Sequence, residues 1–256
     1  VNSVAMANWG WRVPFLAAAP MGLVGVYIRS KLEESPVFQV ATHDPHPEHI
    51  GVRVTLRRQW KSMVRLGGFI SLTAVSFNTF STYMTTFFRM VVGMHSDTVF
   101  LSNFIALVSA TAMAPIIGRI CDRIGRRPTM VAASLCLGGL AVPAYLVAGI
   151  GTLGAAVAAQ LLLAVGAVTA NVVTAVLLSE LFPTTERYTA SAITYNIAYA
   201  VFGGTAPLVA TLLITTTGNY LMPAVYIAVI AAVALVAALT LPETSRRPLL
   251  ATGAVS

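Results

Sequence analysis

Charge able to do work is concentrated in two short stretches. The first is Gly118-Arg-Ile-Cys-Asp122-Arg123-Ile-Gly125-Arg126-Arg127-Pro128, one carboxylate set among arginines between two apolar runs. An aspartate so close to apolar segments needs a cation or a helix N-terminus as partner, so this stretch is suited to ion pairing. Gly125 permits a sharp reversal, and Pro128 can start the next helix. The second stretch is Ser179-Glu180-Leu-Phe-Pro183-Thr-Thr-Glu-Arg187. Pro183 stops a helix here, and the spacing predicts an ion pair between Glu180 and Arg187 across the turn.

Uncharged polar side chains form the other set. Ser71, Asn78, Thr82 and Thr85 recur at spacings of seven, four and three, which places them along one helical face beside Tyr83. Gln160, Asn171 and Thr174, with Asn196 and Tyr199, complete a neutral hydrogen-bonding lining suited to a small polar solute. Asn78, Thr82, Tyr83, Asn171, Asn196 and Tyr199 are the candidate pathway residues. The competing use is structural, since hydroxyls bond their own backbone and Asn or Gln joins helix to helix. Pro115, Gly203, Gly204 and Pro207 interrupt apolar runs and are candidate bending points, with close packing of small residues as the other reading.

Catalytic chemistry finds no foothold. No nucleophile, base and metal set converges, so no enzyme activity, metal or cofactor is expected. Cys121 and Cys136 lack metal-ligand spacing, and a disulfide between them is not expected. His43, His46 and His49 recur every third residue, yet Pro45 and Pro47 prevent a helix that would align them. No Asp, Glu or His lies in the middle of an apolar run; Arg89, His95 and Asp97 sit at one end. A proton-coupling group is therefore expected outside this segment.

The elements that must position these residues follow from composition. The chain is 57% hydrophobic and only 10% charged, with a mean hydropathy of +0.79. Lipid, not water, can cover that much apolar surface. Seven segments approach the roughly 20 apolar residues of a membrane-crossing helix: 12–29, 63–88, 98–119, 128–149, 152–179, 189–216 and 221–241. The period-two alternation of a membrane barrel is missing. The net charge of +7 resides between these segments, so it reports topology rather than nucleic-acid binding. With the 30–62 linker placed in the cytoplasm, its side of the membrane receives Lys31, Arg53, Arg57, Arg58, Lys61, Arg119, Arg123, Arg126, Arg127, Arg187, Arg246 and Arg247. The opposite loops hold little beyond Arg12 and Arg89. Val54–Arg65 reads as a short helix lying at the membrane surface. Similar acidic exits at Lys31-Leu-Glu-Glu-Ser-Pro36 and Leu241-Pro-Glu-Thr-Ser245 suggest two duplicated halves, the first present only as its last helix.

The 118–127 stretch resembles the G-x-x-x-D-R-x-G-R-R loop of the major facilitator superfamily, and 180–187 resembles its E-L-F-P-T-x-x-R exit. Three further runs resemble the metabolite:proton symporters within it: Trp9-Gly-Trp-Arg-Val-Pro-Phe15 through Glu33-Glu-Ser-Pro-Val-Phe38, Thr82-Tyr83-Met-Thr-Thr86, and Tyr195-Asn196-Ile-Ala-Tyr199-Ala-Val-Phe-Gly203-Gly204-Thr-Ala-Pro207. The resemblance implies an all-α integral membrane fold: residues 1–32 as the last helix of an N-terminal half, 33–62 as a cytoplasmic linker, 63–241 as a six-helix C-terminal half and 242–256 as a cytoplasmic tail. It implies alternating-access transport of an organic acid or a betaine- or proline-like osmolyte with protons, in a bacterial cytoplasmic membrane, together with a separate N-terminal half. It also assigns a conformational latch to Gly118, Asp122, Arg123, Gly125, Arg126, Arg127, Glu180 and Arg187. Alternatives are a sugar or drug carrier, or a non-transporting remnant or sensor.

Overall fold

The computed structural model describes residues 8–31 and 51–245, and among these every regular element is helical. The linker histidines and the arginines of the tail lie outside the described residues. Contacts divide the chain into two units, 1–47 and 48–256. The first contains a 3₁₀ turn at Gly10–Arg12 followed by α1 (Val13–Lys31).

The second unit is an antiparallel bundle. Its helices are α2 (Val52–Asn78), a π turn (Thr79–Tyr83) running into α3 (Met84–Met90), α4 (Ser96–Ile124), α5 (Arg126–Ala148), α6 (Leu153–Glu180), α7 (Thr184–Ala198), a second π turn (Tyr199–Gly203), α8 (Ala206–Thr217) and α9 (Met222–Thr240). Among the described residues, five helical stretches are long and apolar enough to cross a membrane: 96–124, 126–148, 153–180, 184–217 and 222–240. The chain is thus a multi-pass membrane protein. In hydrocarbon each backbone N–H and C=O must be satisfied within its own segment, which is why these runs are helices.

One expectation changes. The surface helix read at Val54–Arg65 is the beginning of α2, which continues unbroken to Asn78. At 1.5 Å per residue its 27 residues span about 40 Å, against about 30 Å of hydrocarbon, so its arginine-rich first turns project beyond the apolar layer.

α6 packs against α4, α5 and α2, while α2 also contacts α7 and α9. Small residues permit this closeness: Ala159, Ala164, Ala167 and Ala170 are fully buried on α6. At Gly166 a Cβ would lie 2.5 Å from Leu137 Cγ on α5. Aromatic rings close the end remote from the arginine turns, with Phe87 edge-on to Tyr145 at 5.0 Å. α4 runs continuously through Pro115, which is exposed.

Gly166→Ala should lower unfolding stability in detergent by about 1–3 kcal/mol through overpacking of α5 against α6. Gly139→Ala, whose Cβ meets nothing within 4 Å, should leave it unchanged or slightly raised. Equal effects of the two would contradict the tight contact.

Candidate functional site

Two sites emerge, one ionic at the arginine-rich end and one neutral within the bundle. The ionic site is built around Arg126, the first residue of α5. Its Nε and Nη2 donate to the two carboxylate oxygens of Glu180 at the end of α6, at 3.1 and 2.9 Å. Its Nη1 donates to Asp122 at 2.9 Å and to the Cys121 carbonyl at 3.3 Å. One planar guanidinium therefore ties the α4 exit, the α5 entry and the α6 exit, a task its fork geometry suits.

The segment after α9 joins the same cluster. Glu243 accepts from the backbone N–H groups of Arg126 and Arg127 at 2.9 and 3.0 Å, and from that of Ser245 at 2.9 Å. It thereby caps α5, whose first amides have no partners within the helix. The Thr244 hydroxyl donates to Glu180 at 2.7 Å, and Arg127 Nη2 donates to the Leu239 carbonyl at 2.6 Å. Gly125 makes the approach possible: its φ of +99° is unfavourable for other residues, and a Cβ there would lie 2.8 Å from Glu243. Burial pushes the Glu243 carboxyl up, but the donors from Ser245, Arg126 and Arg127 outweigh it and hold the group below its ordinary 4.5.

The predicted Glu180–Arg187 pair is not formed. Glu180 is occupied by Arg126 and Thr244, whereas Arg187 Nε donates to the Phe182 carbonyl at 3.2 Å. The carboxylate that turns toward α2 is Glu186, which accepts from Gln59 at 2.7 Å and lies 3.6 Å from Arg58. Arg123 is exposed outside the Arg126 cluster, and Gly118 faces open space. Sequence reasoning missed Glu186 and Glu243. Their signal was the position of each carboxylate beside a helix end.

The neutral site gathers around the second π turn. Asn78 Nδ2 donates to the Ala74 carbonyl at 3.0 Å and sits against Gly203, where a Cβ would approach it to 2.9 Å. Tyr199 begins the second π turn, lies near the Asn171 side chain and stacks on Tyr195 with ring centroids 4.3 Å apart. Asn78, Asn171, Tyr195 and Tyr199 are all partly accessible. Tyr83 is buried, while Thr82 and Asn196 are exposed. Asn196 donates to the Ala192 carbonyl of its own helix at 2.7 Å.

Other polar residues serve packing. Gln160 is fully buried and donates to Asn103 on α4 at 2.9 Å, and Thr174 pairs with Thr73 at 2.9 Å. Among the bending candidates, Gly203 closes the second π turn and Gly204 and Pro207 flank its exit into α8. π turns are frequent at functional positions because the extra residue re-aims the side chains around it. The one at Thr79–Tyr83 had no glycine or proline to announce it.

Comparison with known proteins gives a consistent picture. The sequence profile of the Major Facilitator Superfamily matches residues 2–203 and 104–255. The chain is 34% identical over 258 residues to the proline/betaine transporter of Escherichia coli K12, covering 97% of this chain and 51% of that protein. It is 33% identical over 263 residues to the ectoine/proline transporter ProP of Corynebacterium glutamicum, again covering 97% and 51%. A transporter of Dickeya dadantii named for glycine betaine, proline, ectoine and pipecolic acid is 33% identical over 258 residues, with the same coverage. The chain thus spans about half the length of these relatives.

Arg126→Lys, which keeps charge but removes the fork, should destabilise the arginine-rich end by about 1–3 kcal/mol. The loss should shrink in a Glu180→Gln background; full additivity in a double-mutant cycle would show that the pair is uncoupled. Because the folded pKa of Glu243 is lowered, its stabilisation is complete above about pH 4.5 and is lost as pH falls further. Glu243→Gln should flatten that acid dependence in unfolding experiments.

Proposed function

Since the chain belongs to the major facilitator superfamily, we propose that it supplies the C-terminal half of a secondary transporter for a small zwitterionic osmolyte of the proline, betaine or ectoine kind. The observation that carries this reading is similarity over 97% of the chain to transporters of those solutes. In the proposed arrangement α1 is the last helix of the N-terminal half, α2 to α9 make up the C-terminal half, and the arginine-rich end and the chain's C-terminus face the bacterial cytoplasm. The excess of Arg and Lys at that end supports the orientation.

Chemistry at the neutral site fits such a solute. Asn78 uses one N–H on Ala74, leaving its second N–H and its oxygen for a ligand. Asn171 and the Tyr199 hydroxyl add further donors, suited to a carboxylate. The Tyr195–Tyr199 stack offers an outer ring face, which attracts a quaternary or secondary ammonium through its quadrupole. An uncharged lining accepts a solute whose own charges cancel without burying an unpaired protein charge.

Alternating access then requires the ionic site to open and close. Asp122, Arg126 and Glu180, with Glu243 at the α5 N-terminus, form the latch, and the π turns at Thr79–Tyr83 and Tyr199–Gly203 are the bending points beside the solute. Gly204 and Pro207 add compliance at the entry to α8. Coupling to protons draws on a titratable group in the N-terminal half, since Asp, Glu and His are absent from the middle of these spans.

Uptake of labelled glycine betaine and proline by the complete transporter in vesicles tests the reading. An imposed inward proton gradient should accelerate uptake, and equal rates with and without it would refute symport. Asn78→Ala and Tyr199→Phe should each raise KM by about tenfold, equivalent to one hydrogen bond of about 1.4 kcal/mol, with expression retained. Asp122→Asn should instead slow turnover with KM little changed; unaltered kinetics would remove it from the latch.

A further inference from the structure

Beside the arginine-rich turns of α2 runs a groove of about 290 Å³ between α2 and α7, reaching Phe202 in the second π turn at its inner end. It is lined by Leu56, Trp60, Val64 and Gly67 on one side and by Ile193 and Ile197 on the other, with an entirely apolar surface. Between Leu56 and Gly67 the groove extends about 16 Å at 1.5 Å per residue.

The groove has a charged mouth. Arg53 precedes Trp60 by seven residues, and Arg57 precedes Val64 by seven, so both sit two turns above groove-lining residues on the same faces of α2. Lys61 adds a third exposed cation and lies 5.9 Å from the centroid of the Trp60 ring. No carboxylate among the described residues pairs with these three, and the nearby Glu186 is committed to Arg58 and Gln59. Half-exposed Trp60 is the residue type that marks the headgroup level. Arg53 and Arg57 therefore flank the outer end of the groove and Lys61 stands beside Trp60, while its inner end at Val64 and Gly67 reaches toward the apolar layer.

We propose that this groove is a binding site for one anionic phospholipid, its acyl chain lying between α2 and α7 and its phosphate held by Arg53, Arg57 and Lys61. These cations, unpaired with any carboxylate among the described residues, recognise the headgroup, and the apolar strip recognises the chain. The site stands apart from solute and proton chemistry, so its test does not depend on transport.

Phosphatidylglycerol carrying a diazirine on its acyl chain provides the probe, in phosphatidylcholine nanodiscs holding either this chain or the complete transporter. Irradiation should label peptides containing Val64, Ile193 and Ile197, at least fivefold more strongly than the same diazirine on phosphatidylcholine. The exposed-site variant R53Q/R57Q/K61Q should erase that preference without changing thermal stability. Gly67→Leu keeps the cations and fills the groove, so it should abolish labelling of these peptides; the Gly67 Cβ position has only an ordinary 3.6 Å contact with Thr194, so the fold should tolerate it. Equal labelling by both lipids, or labelling indifferent to both variants, would overturn the proposal. So would labelling that glycerol phosphate competes away, which would mark a simple anion site. Labelling of the chain alone but not of the complete transporter would also overturn it, assigning the groove to a helix of the other half.

Discussion

Much of the arginine-rich end of the molecule is held by one guanidinium. Arg126 spends two N–H groups on Glu180 and a third on Asp122 and the Cys121 carbonyl, so three helix ends meet at a single planar group. Only 12% of its side chain is exposed, against 68% for Asp122, which grades the interaction. The Glu180 arm is partly shielded and strong, while the Asp122 arm is solvated and weak. An assembly of that kind can release one arm at modest cost while the other keeps its register.

Glu243 makes the cluster more than an ion pair. By accepting from the first amides of α5 it converts the helix N-terminus into a fourth participant, and the positive φ of Gly125 lets the carboxylate come near. The exit of α9 is thereby linked to α6 through Thr244, so movement of any of these ends is felt by the others. Gln59 and Arg58 carry the same logic to α2, where Glu186 is almost fully buried with a 3% exposed side chain.

Within the bundle the balance is reversed, because hydrocarbon penalises charge and tolerates only groups that find partners. Most hydroxyls there bond to their own helix, as Ser71 does to Gly68 and Thr85 to Thr82. Asn78 and Tyr199 differ because each stands at the start of a π turn, with Asn78 also against Gly203 at the end of the other. Each irregular turn gives a local weakness in an otherwise continuous rod, beside polar side chains.

Apolar run length and the placement of arginine are one-dimensional properties, so the helical spans, the turns between them and the family were legible from sequence alone. A segment of about 20 apolar residues has one stable answer in lipid. The 118–127 and 180–187 stretches were likewise recognisable as the charged ends of helices. Choice of partner was a different matter. Glu180 takes Arg126, 54 residues earlier, rather than Arg187, because antiparallel packing of α5 on α6 brings those two helix ends together. Gln160 faces α4 and Asn171 faces Tyr199, although both are amides on α6 with the same neighbours in composition. The continuity of α2 through its basic turns, the π turn at Thr79–Tyr83 and the groove beneath Arg53 and Arg57 were also decided only by packing. Each depends on which surfaces of separate helices meet, and residue spacing along one helix gives a face without saying what lies opposite it.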